Sequence, residues 1–569
     1  MKRINQSVMT AVAACLLAAT PIWTMPPQAE AAGSAQEQLP QQKEFSQEVQ
    51  NTLDKLKEAI PEIKALRLER KSVGKPSFRN YPHQVWTVLL TDRPETGAEK
   101  SRLAYATARI ELDAQTGRLL YLDVKNPAWA SADYPDEKLA REKADAFLAS
   151  ILGKDASQFK QSKALSRGKA GIGDGKGDGK GAMIEWVYST VYYQTLINQI
   201  ALDGNALSVS VDHAGHVIRF DAYNQIRPDE VKWPDPQKAI SLEKAKQIYQ
   251  DKLKMELEYV AEQPTSYSAP GRAEEKKPML VYQPYGVYRI DALTGEVLDE
   301  PDQQAKESVQ VKGEGKTIKI ASQKEAEQWL KSQFGIDVAG ATFEYDDHKD
   351  NLREGLQAIE SYHWMDFTEK ANQAFETITL TTDAASDRLI DFHLYLPERQ
   401  EQKQKISVDE ARKKAIAALQ PYLDPAVSEL TLFTFRHDEA IPDWVDKSKL
   451  EKRNEPREYY FNFQGKRNGI PVSDEFYRVG IDQVTGAVTG LSFPPIHPDI
   501  ALPAATKLVS AQEAKETYQK EVELELVYYW EQYEDQRAPE PKLVYQRKRE
   551  DSYRFVDATT GKLIEIKYR

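Results

Sequence analysis

A short turn motif recurs along this chain, and its copies in the two halves are equally spaced. The motif has the form Asp-Ala-x-Thr-Gly or a close variant, and its first residues are Asp113, Asp212, Asp291, Asp383, Asp482 and Asp557. The last three follow the first three at offsets of 270, 270 and 266 residues. A catalytic site on one fold needs no such duplication, whereas an array of small units that presents a long surface does. The repetition therefore favours a binding protein over an enzyme.

Each motif closes one segment, so the chain divides into two homologous halves of three segments. The Asp carboxylate can accept a nearby backbone N–H, and Gly supplies the positive φ that a tight hairpin needs. The predicted segments are 32–127, 134–228, 234–301, 316–398, 404–497 and 505–569.

Helices are predicted at the start of the segments. Phe45, Val49, Leu53, Leu56 and Ile60 recur at spacings of three and four, which places them on one stripe of a helix. Capping boxes, in which a Ser hydroxyl accepts a backbone N–H and Glu reaches back, predict three further starts at Ser322/Glu325, Ser407/Glu410 and Ser510/Glu513.

Strands are predicted after the helices, where acidic and apolar side chains alternate, as in residues 521–526. One tract breaks this order. Gly168–Gly181 consists almost entirely of Gly, Lys and Asp, cannot bury enough surface to order itself, and is predicted to be a flexible surface loop.

The N-terminus predicts export. Lys2 and Arg3 precede an apolar run, and Ala29-Glu30-Ala31 follows it, which is the layout of a secretory signal peptide over residues 1–31. No later apolar run is long enough to cross a bilayer, so we expect a secreted, extracellular protein without a transmembrane segment, associated or not with the cell envelope. A lipoprotein processed at Cys15 is the alternative, although the apolar run continues past that residue.

The net charge and the cysteine content limit which partners the protein can bind and how its fold can be stabilised. The formal net charge of −12 argues against nucleic acid as a partner. Because Cys15 is the single cysteine and lies in the predicted signal peptide, the exported chain forms no disulfide, and its stability must come from buried apolar area.

No residue set with a recognisable catalytic spacing emerges, and we assign no catalytic, cofactor-binding or metal residues. The eight histidines contain no His-Glu-x-x-His, and no Gly-x-Ser-x-Gly is present. His213 and His216 could hold a metal, but they bracket a turn, which favours simple exposure. Asp174 and Asp178 could bind calcium but lack the ligand order of a calcium loop, which favours a linker. A carboxylate pair facing across a cleft is not visible in a sequence, so a hydrolase stays open.

Adjacent aromatic residues allow two interpretations. They could anchor a protein or glycan interface, or divide between the core and the solvent face of a strand, which is the commoner arrangement. The clusters are Tyr192-Tyr193, Tyr459-Tyr460 and Tyr528-Tyr529-Trp530.

The sequence resembles known exported domains at several short motifs. Leu280-Val281-Tyr282-Gln283, its twin Leu543-Val544-Tyr545-Gln546 and Leu103-Ala104-Tyr105, combined with the closing hairpins, resemble the PepSY domain. Asn468-Gly469-Ile470-Pro471-Val472 is similar to an element in propeptides of thermolysin-type metallopeptidases. As a duplicated array, the chain is most similar to the YcdB/YcdC-repeat proteins of Gram-positive bacteria.

The resemblance implies an α+β fold of tandem PepSY-like units, each a helix packed on an antiparallel sheet in a cystatin-like manner. It also implies a protein partner, either an extracellular peptidase or a cell-wall hydrolase that the chain inhibits or scaffolds. We expect a non-enzymatic binding protein without a cofactor, with an exposed sheet edge as the contact. The alternatives are an envelope-polymer hydrolase that uses carboxylates between the halves, and a structural surface component.

Overall fold

Most of the chain after residue 43 is described by a computed structural model. The described residues are 44–76, 81, 83–94, 105–173, 183–204, 206–223, 231–260, 278–286, 289–298, 306–347, 358–366, 375–397, 405–433, 441–450, 457–494, 501–534, 536–548 and 552–567. The predicted signal peptide, Cys15, Asp174 and Asp178 lie outside these residues.

Six α-helices occur in the described residues, and each buries a narrow stripe. Their bounds are α1 Gln47–Ala59, α2 Glu137–Leu152, α3 Leu242–Lys252, α4 Gln323–Phe334, α5 Val408–Leu419 and α6 Ala511–Gln519. The stripe predicted for α1 is confirmed, because Val49, Leu53 and Leu56 are buried.

All six helices begin at a residue whose side chain accepts a backbone N–H of the first turn. The predicted box at Ser510 is complete, with bonds in both directions between Ser510 and Glu513. Ser322 also caps its helix, but Glu325 accepts instead from the N–H of Ala321 at 2.8 Å. These caps fix where the chain leaves the extended conformation.

Within the described residues there are also twenty-seven strands and several short 3-10 helices. Those of the first half are β1 Arg67–Gly74, β2 Val85–Thr91, β3 Thr107–Asp113, β4 Leu119–Lys125, β5 Phe159–Gly173, β6 Met183–Ile197, β7 Ile200–Ala201, β8 Leu207–Asp212, β9 Val217–Asp221, β10 Lys254–Val260, β11 Met279–Tyr285 and β12 Arg289–Asp291. Those that follow are β13 Lys306–Gln310, β14 Thr342–Asp347, β15 Ile359–Met365, β16 Thr377–Asp383, β17 Leu389–Tyr395, β18 Glu429–Phe433, β19 Glu458–Arg467, β20 Ile470–Asp482, β21 Val488–Ser492, β22 Leu524–Tyr529, β23 Gln532–Tyr533, β24 Gln536–Arg537, β25 Lys542–Arg547, β26 Ser552–Asp557 and β27 Leu563–Lys567.

The first sheet has the order β1-β2-β3-β4-β9-β8-β6-β5, and the short strand β7 pairs antiparallel with the end of β6. A meander of four strands is thus continued by four strands of the next segment in reverse order. One face is apolar and carries α1 and α2, so that Leu56, Ala140, Ile110, Leu122 and Val209 share one core. Every described neighbour pair in this sheet is antiparallel.

The second sheet has the order β14-β15-β16-β17-β21-β20-β19-β18-β13. It repeats the arrangement of a meander continued by the following segment in reverse, with β13 added at one edge. Its apolar face carries α4 and α5. Trp329 of α4 packs edge-on against Phe392 of β17, with ring centroids 5.3 Å apart.

Seven of the remaining strands belong to two smaller sheets that share one core with α3 and α6, and β23 and β24 pair separately as a two-stranded ribbon. Their orders are β10-β11-β26-β27 and β12-β25-β22. The first of these joins the second large sheet through a single parallel pairing of Tyr259 with Val472. The predicted class is therefore confirmed as a mixed α+β protein with mostly antiparallel sheets.

The Asp turns have a common internal structure. In the fifth segment, Oδ1 of Asp482 accepts from the N–H groups of Val484 and Thr485 at 3.1 and 2.6 Å and from the Thr485 hydroxyl at 2.7 Å. Gly486 then adopts φ +68°. At the fourth turn Asp387 takes the glycine position and adopts the same left-handed conformation at φ 58°.

The glycine of the first turn is needed for space as well as conformation. A Cβ added at Gly117 would lie 2.4 Å from the carbonyl carbon of Glu48, in the first turn of α1. The turn and the start of the helix are thus in direct backbone contact, which seats α1 on its sheet.

The predicted loop at Gly168–Gly181 is partly strand. Residues 168–173 continue β5 and pair with β6, from Gly168 opposite Tyr188 to Gly173 opposite Met183. The Tyr188 ring lies across Gly168, where a Cβ would come within 2.5 Å of it, so this position of the strand requires glycine. Residues 174–181 lie outside the described residues.

Removal of one turn carboxylate tests this role. Asp113 is fully buried, and its oxygens accept from Gln115, Thr116 and Tyr81. We expect Asp113→Ala to lower the free energy of unfolding by about 2 kcal/mol in urea titrations, because buried donors lose a charged acceptor. Asp113→Asn, which keeps one acceptor oxygen, should lose less.

The same carboxylate predicts a pH dependence. Burial alone would raise the pKa of Asp113, but the donors of Thr116, Tyr81 and Gln115 together hold it below the ordinary 3.8. The stabilisation is then present above pH 3.8 and is lost as the pH falls through the lowered pKa. The deficit of Asp113→Ala should therefore shrink in acid, and a deficit that is equal at all pH values would contradict an ionic role.

Candidate functional site

The face of each large sheet opposite the helices carries polar side chains. In the first sheet one row of paired residues crosses six neighbouring strands, namely Arg109, Asp123, Arg219, Ser210, Thr190 and Ser166. Successive side chains of a strand point to opposite faces, so an apolar core face forces this second set outward together. We call these six residues and their neighbours Glu111, Tyr121, Tyr188, Tyr192 and Tyr223 the first polar face.

Glu111 is the most buried charge on this face, with 1% of its surface exposed. Arg109 donates to it from Nε at 2.8 Å, and the Tyr223 hydroxyl donates to its other oxygen. Burial and then the neighbouring Glu111 raise the pKa of Tyr223, which therefore remains a hydrogen-bond donor. The cluster is paired internally, which rigidifies this part of the sheet.

Arg219 lies at the centre of the row. Its Nε and Nη2 atoms donate to Asp123 at 3.2 and 3.0 Å, and its guanidinium lies 6.0 Å from the centroid of the Tyr188 ring. Burial alone would lower the pKa of Arg219, but Asp123 and Tyr121 outweigh it and raise the pKa. About a third of the Arg219 side chain, 36%, stays exposed, so a partner can reach it.

The second sheet has a corresponding row of paired residues with a different distribution of charge. It consists of Ser361, Thr381, Asp391, Ser492, Arg478 and Asn462, and we call it the second polar face together with His363, Thr379, His393 and Tyr460. Burial raises the pKa of Asp391, and its nearest donor is the hydroxyl of Ser492. A carboxylate that is costly to ionise is a feature of functional sites as well as of structural networks.

The second polar face does not form a nucleophilic triad. Such a triad places a His ring between the hydroxyl and the carboxylate, whereas the Ser492 hydroxyl donates directly to Asp391. The His363 ring, in turn, bonds to the Thr379 hydroxyl at 3.1 Å. These contacts orient side chains on the face and activate neither hydroxyl.

The edge of the first sheet offers a different kind of site. Strand β5 has 15 residues, and β6 is its partner in the sheet. Its register with β6 is interrupted between Gln161 and Leu165, and over that interval Arg141 of α2 donates to the carbonyl groups of Ser162 and Lys163 at 2.8 and 2.6 Å. From Leu165 to Gly173 the pairing with β6 is regular.

The cations of β5 are exposed. Lys160, Lys163, Arg167 and Lys169 all lie on its surface, although the chain as a whole is acidic. Lys169 forms an ion pair with Glu185 of β6 at 2.5 Å, and Arg167 lies over the Tyr134 ring at 5.2 Å. A long edge strand with unlike charge to the rest of the protein can pair with an acidic extended segment.

The side chains of His213 and His216 lie in different environments. His216 Nδ1 bonds to Oδ2 of Asp212 at 2.9 Å, and its ring stacks on Trp129 at 4.2 Å, so it completes the turn. His213 is exposed. Within the part of the chain that the structure describes, no group of three or more His, Cys, Asp or Glu side chains is placed to hold a metal ion.

Two of the aromatic clusters divide between the faces of a strand. Tyr193 is buried and donates to Asp145 at 2.7 Å, whereas Tyr192 lies on the first polar face beside Ser166. Tyr459 packs toward the core, and Tyr460 lies on the second polar face against Glu458.

The third cluster joins parts of the chain that are distant in sequence. Tyr528 is fully buried and donates to the carbonyl of Pro234 at 2.8 Å. The Arg289 guanidinium lies 3.9 Å from the Tyr529 ring centroid, and Trp530 contacts Trp233 edge-on.

The polar rows were not predicted from the sequence. Their residues lie on six different strands, and they become neighbours only through strand register, which a single sequence does not specify. A usable signal does exist within each strand, because Arg109, Glu111, Tyr121 and Asp123 alternate with apolar residues.

Residues 343–493 match the family described as YcdB, YcdC repeated domain. The match starts in β14, ends just after β21 and therefore includes α5 and most of the second sheet, with the whole second polar face. No curated protein matches the chain. In the described residues no helix is long and apolar enough to cross a membrane.

The buried charge on the second polar face leads to a stability prediction. We expect Asp391→Asn to be neutral or to stabilise the fold by up to about 1 kcal/mol at pH 7, because it removes a charge that burial disfavours and keeps a hydrogen-bond acceptor. The raised pKa means that the wild-type carboxyl is protonated in acid, so the difference should vanish as the pH falls below 3.8.

Asp123→Asn is the matched control on the first polar face. Asp123 has Arg219 as a cationic partner, so this change should destabilise the protein at pH 7, by roughly 1 kcal/mol because the ion pair is only partly buried. Thermal unfolding of both variants between pH 3 and pH 8 measures the contrast. Equal destabilisation by both changes would show that a neighbouring cation stabilises the ionised form of Asp391.

Proposed function

We propose that this chain is an exported, non-enzymatic binding protein that holds an extended segment of a protein partner by strand addition to β5. The observation that carries the proposal is the regular edge from Leu165 to Gly173, which is longer than a typical strand and is bordered by exposed cations. Backbone hydrogen bonds would supply affinity there without distinctive side chains. This agrees with the scarcity of catalytic motifs in the sequence.

The charge of β5 suggests the chemistry of the partner. An acidic extended segment would meet Lys163, Arg167 and Lys169, and the acidic remainder of the chain would disfavour other docking positions. The first polar face continues from the same strand through Ser166 and Tyr192, so side chains of an added segment on that face would meet hydroxyl groups.

We further propose that the two halves are copies of one ancestral unit, and that the segments are PepSY-like. Supporting this, both large sheets are a four-strand meander continued by the next segment in reverse order. The Asp turns support it as well, since Asp113, Asp383 and Asp482 each end a strand and lie opposite the first residue of the neighbouring strand. Asp212 also ends its strand, but it lies opposite Tyr188, inside the longer strand β6.

By the same resemblance, the partner is an extracellular peptidase or a cell-wall hydrolase that the chain restrains or holds in place. The YcdB, YcdC match over 343–493 supports the family assignment of the second sheet. The role toward a peptidase rests on the PepSY resemblance and on the available edge. A signal peptide at residues 1–31 would bring the chain to the same compartment as such enzymes.

Charge reversal on the edge tests the proposal. Immobilised protein is used to capture extracellular proteins of the source organism, and captured peptidases and wall hydrolases are assayed with and without the protein. We expect Arg167→Glu/Lys169→Glu to weaken capture by about tenfold, because two attractions become repulsions, and 0.5 M salt to weaken wild-type capture as well.

The matched control reverses two charges at the opposite edge of the same sheet. Arg70→Glu/Lys75→Glu alters β1 and the residue that follows it by the same formal charge and should leave capture unchanged. Equal loss in both variants would indicate general electrostatic attraction. Capture of no envelope protein by the wild type would remove the proposal.

A further inference from the structure

Strand pairing departs from the common pattern where the third and sixth segments meet. In the first segment, β3 ends at the Asp of the turn and pairs with the preceding strand, β2. Val85 therefore lies opposite Asp113. The second, fourth and fifth segments have equivalent pairs within themselves, namely Tyr188 with Asp212, Ile359 with Asp383, and Glu458 with Asp482.

The third and sixth segments make this pairing with each other. Val281 of the third segment lies opposite Asp557 of the sixth, and Val544 of the sixth lies opposite Asp291 of the third. The adjoining backbone bonds follow the exchange. The N–H of Ala558 donates to the carbonyl of Leu280 at 2.9 Å, and that of Ala292 donates to Leu543 at 2.8 Å.

Each helix stays with the turn of its own segment. The N–H of Ile240, next to the start of α3, donates to the carbonyl of Ala292 at 2.7 Å. The N–H of Val509, next to the start of α6, donates to that of Ala558 at 2.9 Å. Compared with the other segments, the strand pairs β10-β11 and β22-β25 have therefore changed places. The helices and closing hairpins keep the contacts of their own segments.

Two tyrosines on the exchanged strands form hydrogen bonds to the residues just before the helix of the other half. The Tyr282 hydroxyl of β11 donates to the carbonyl of Val509 at 2.9 Å, and the Tyr545 hydroxyl of β25 donates to that of Ile240 at 2.8 Å. The same contact is thus made twice with the two halves reversed. The shared core includes Tyr249 and Tyr518 at equivalent positions on α3 and α6.

The short link between β11 and β12 disfavours pairing within the third segment. If Val281 paired with Asp291 of its own segment, antiparallel register would place Tyr285 opposite residue 287 and leave one residue, Gly286, to reverse the chain. The tightest common hairpins need two residues, so in this register β11 could not keep its present length to Tyr285 and would have to end earlier. Short connections of this kind favour domain swapping.

We propose that the third segment presents an interaction surface, the outer edge of β11, whose partner is β26 of the sixth segment, and that this reciprocal exchange holds the two halves together. The partner is identified by the paired register, by the two tyrosine contacts and by the shared core. The covalent connection through residues 299–305 is then dispensable for association. This inference does not depend on the proposed function at β5.

Proteolytic separation of the halves tests the association. A protease site is placed within residues 299–305 of the full chain, and the folded protein is cleaved. We expect the two fragments to elute together from a gel-filtration column in native buffer and to separate in 8 M urea. Separation in native buffer would overturn the proposal.

A disulfide distinguishes true exchange from simple contact. Arg289 and Gln546 are opposite each other in the exchanged pairing, and neighbouring antiparallel strands bring Cα atoms within disulfide range. In a Cys15→Ser background, Arg289→Cys/Gln546→Cys should link the two cleaved fragments on a non-reducing denaturing gel. Unlinked fragments despite oxidation conditions that form the bond in other strand pairs would overturn the exchange.

Gln283→Cys/Arg289→Cys is the matched control, since these residues would be opposite each other only without exchange. It should leave two separate free thiols in the parent chain. Four Gly/Ser residues inserted after Gly286 lengthen the link enough for a hairpin with full-length strands, and with that insertion we expect the control disulfide to form. If the insertion changes neither pair, the short link is not the cause of the exchange.

Discussion

The buried carboxylate of the Asp turn is the interaction on which the rest of the fold depends. One oxygen gathers two backbone N–H groups and, in most copies, a hydroxyl, which fixes the end of one strand and the start of the next. The residue after the Asp then bonds to the neighbouring strand or to the segment before a helix. A single short motif therefore sets hairpin register, and register decides which side chains enter the core.

This constraint produces sheets with two different faces. The helices cover one face and exclude water from it, so every second side chain on the other face is free to be polar. On the first sheet these positions hold charged pairs such as Arg219 with Asp123, and on the second they hold hydroxyl groups around Asp391. The same backbone thus presents two chemically different surfaces, while the binding edge at β5 belongs to the first sheet.

The sequence predicted the parts of the fold that depend on neighbouring residues. The stripe of α1, the caps at Ser322, Ser407 and Ser510 and the turns at the six Asp residues all follow from local rules, and the structure has them. Tertiary contacts account for the departures. Residues 168–173 form strand through pairing with β6, which their glycine-rich composition does not reveal, and the polar rows require register across six strands. The exchange could not be predicted from the sequence. The sequence shows that the third and sixth segments are alike, but it does not show which strand pairs with the strand that ends at each Asp turn.

Exchange also dictates the order in which the protein can be completed. Synthesis proceeds from the N-terminus, so β11 has no neighbour on its outer side until residues 552–557 have been made, more than 260 positions later. Long sequence separation slows the formation of such contacts, since the intervening chain must first be brought to order. The two large sheets can form as their own segments are synthesised. The smaller sheets that the third and sixth segments share can be completed only after β26 and β27 have been made.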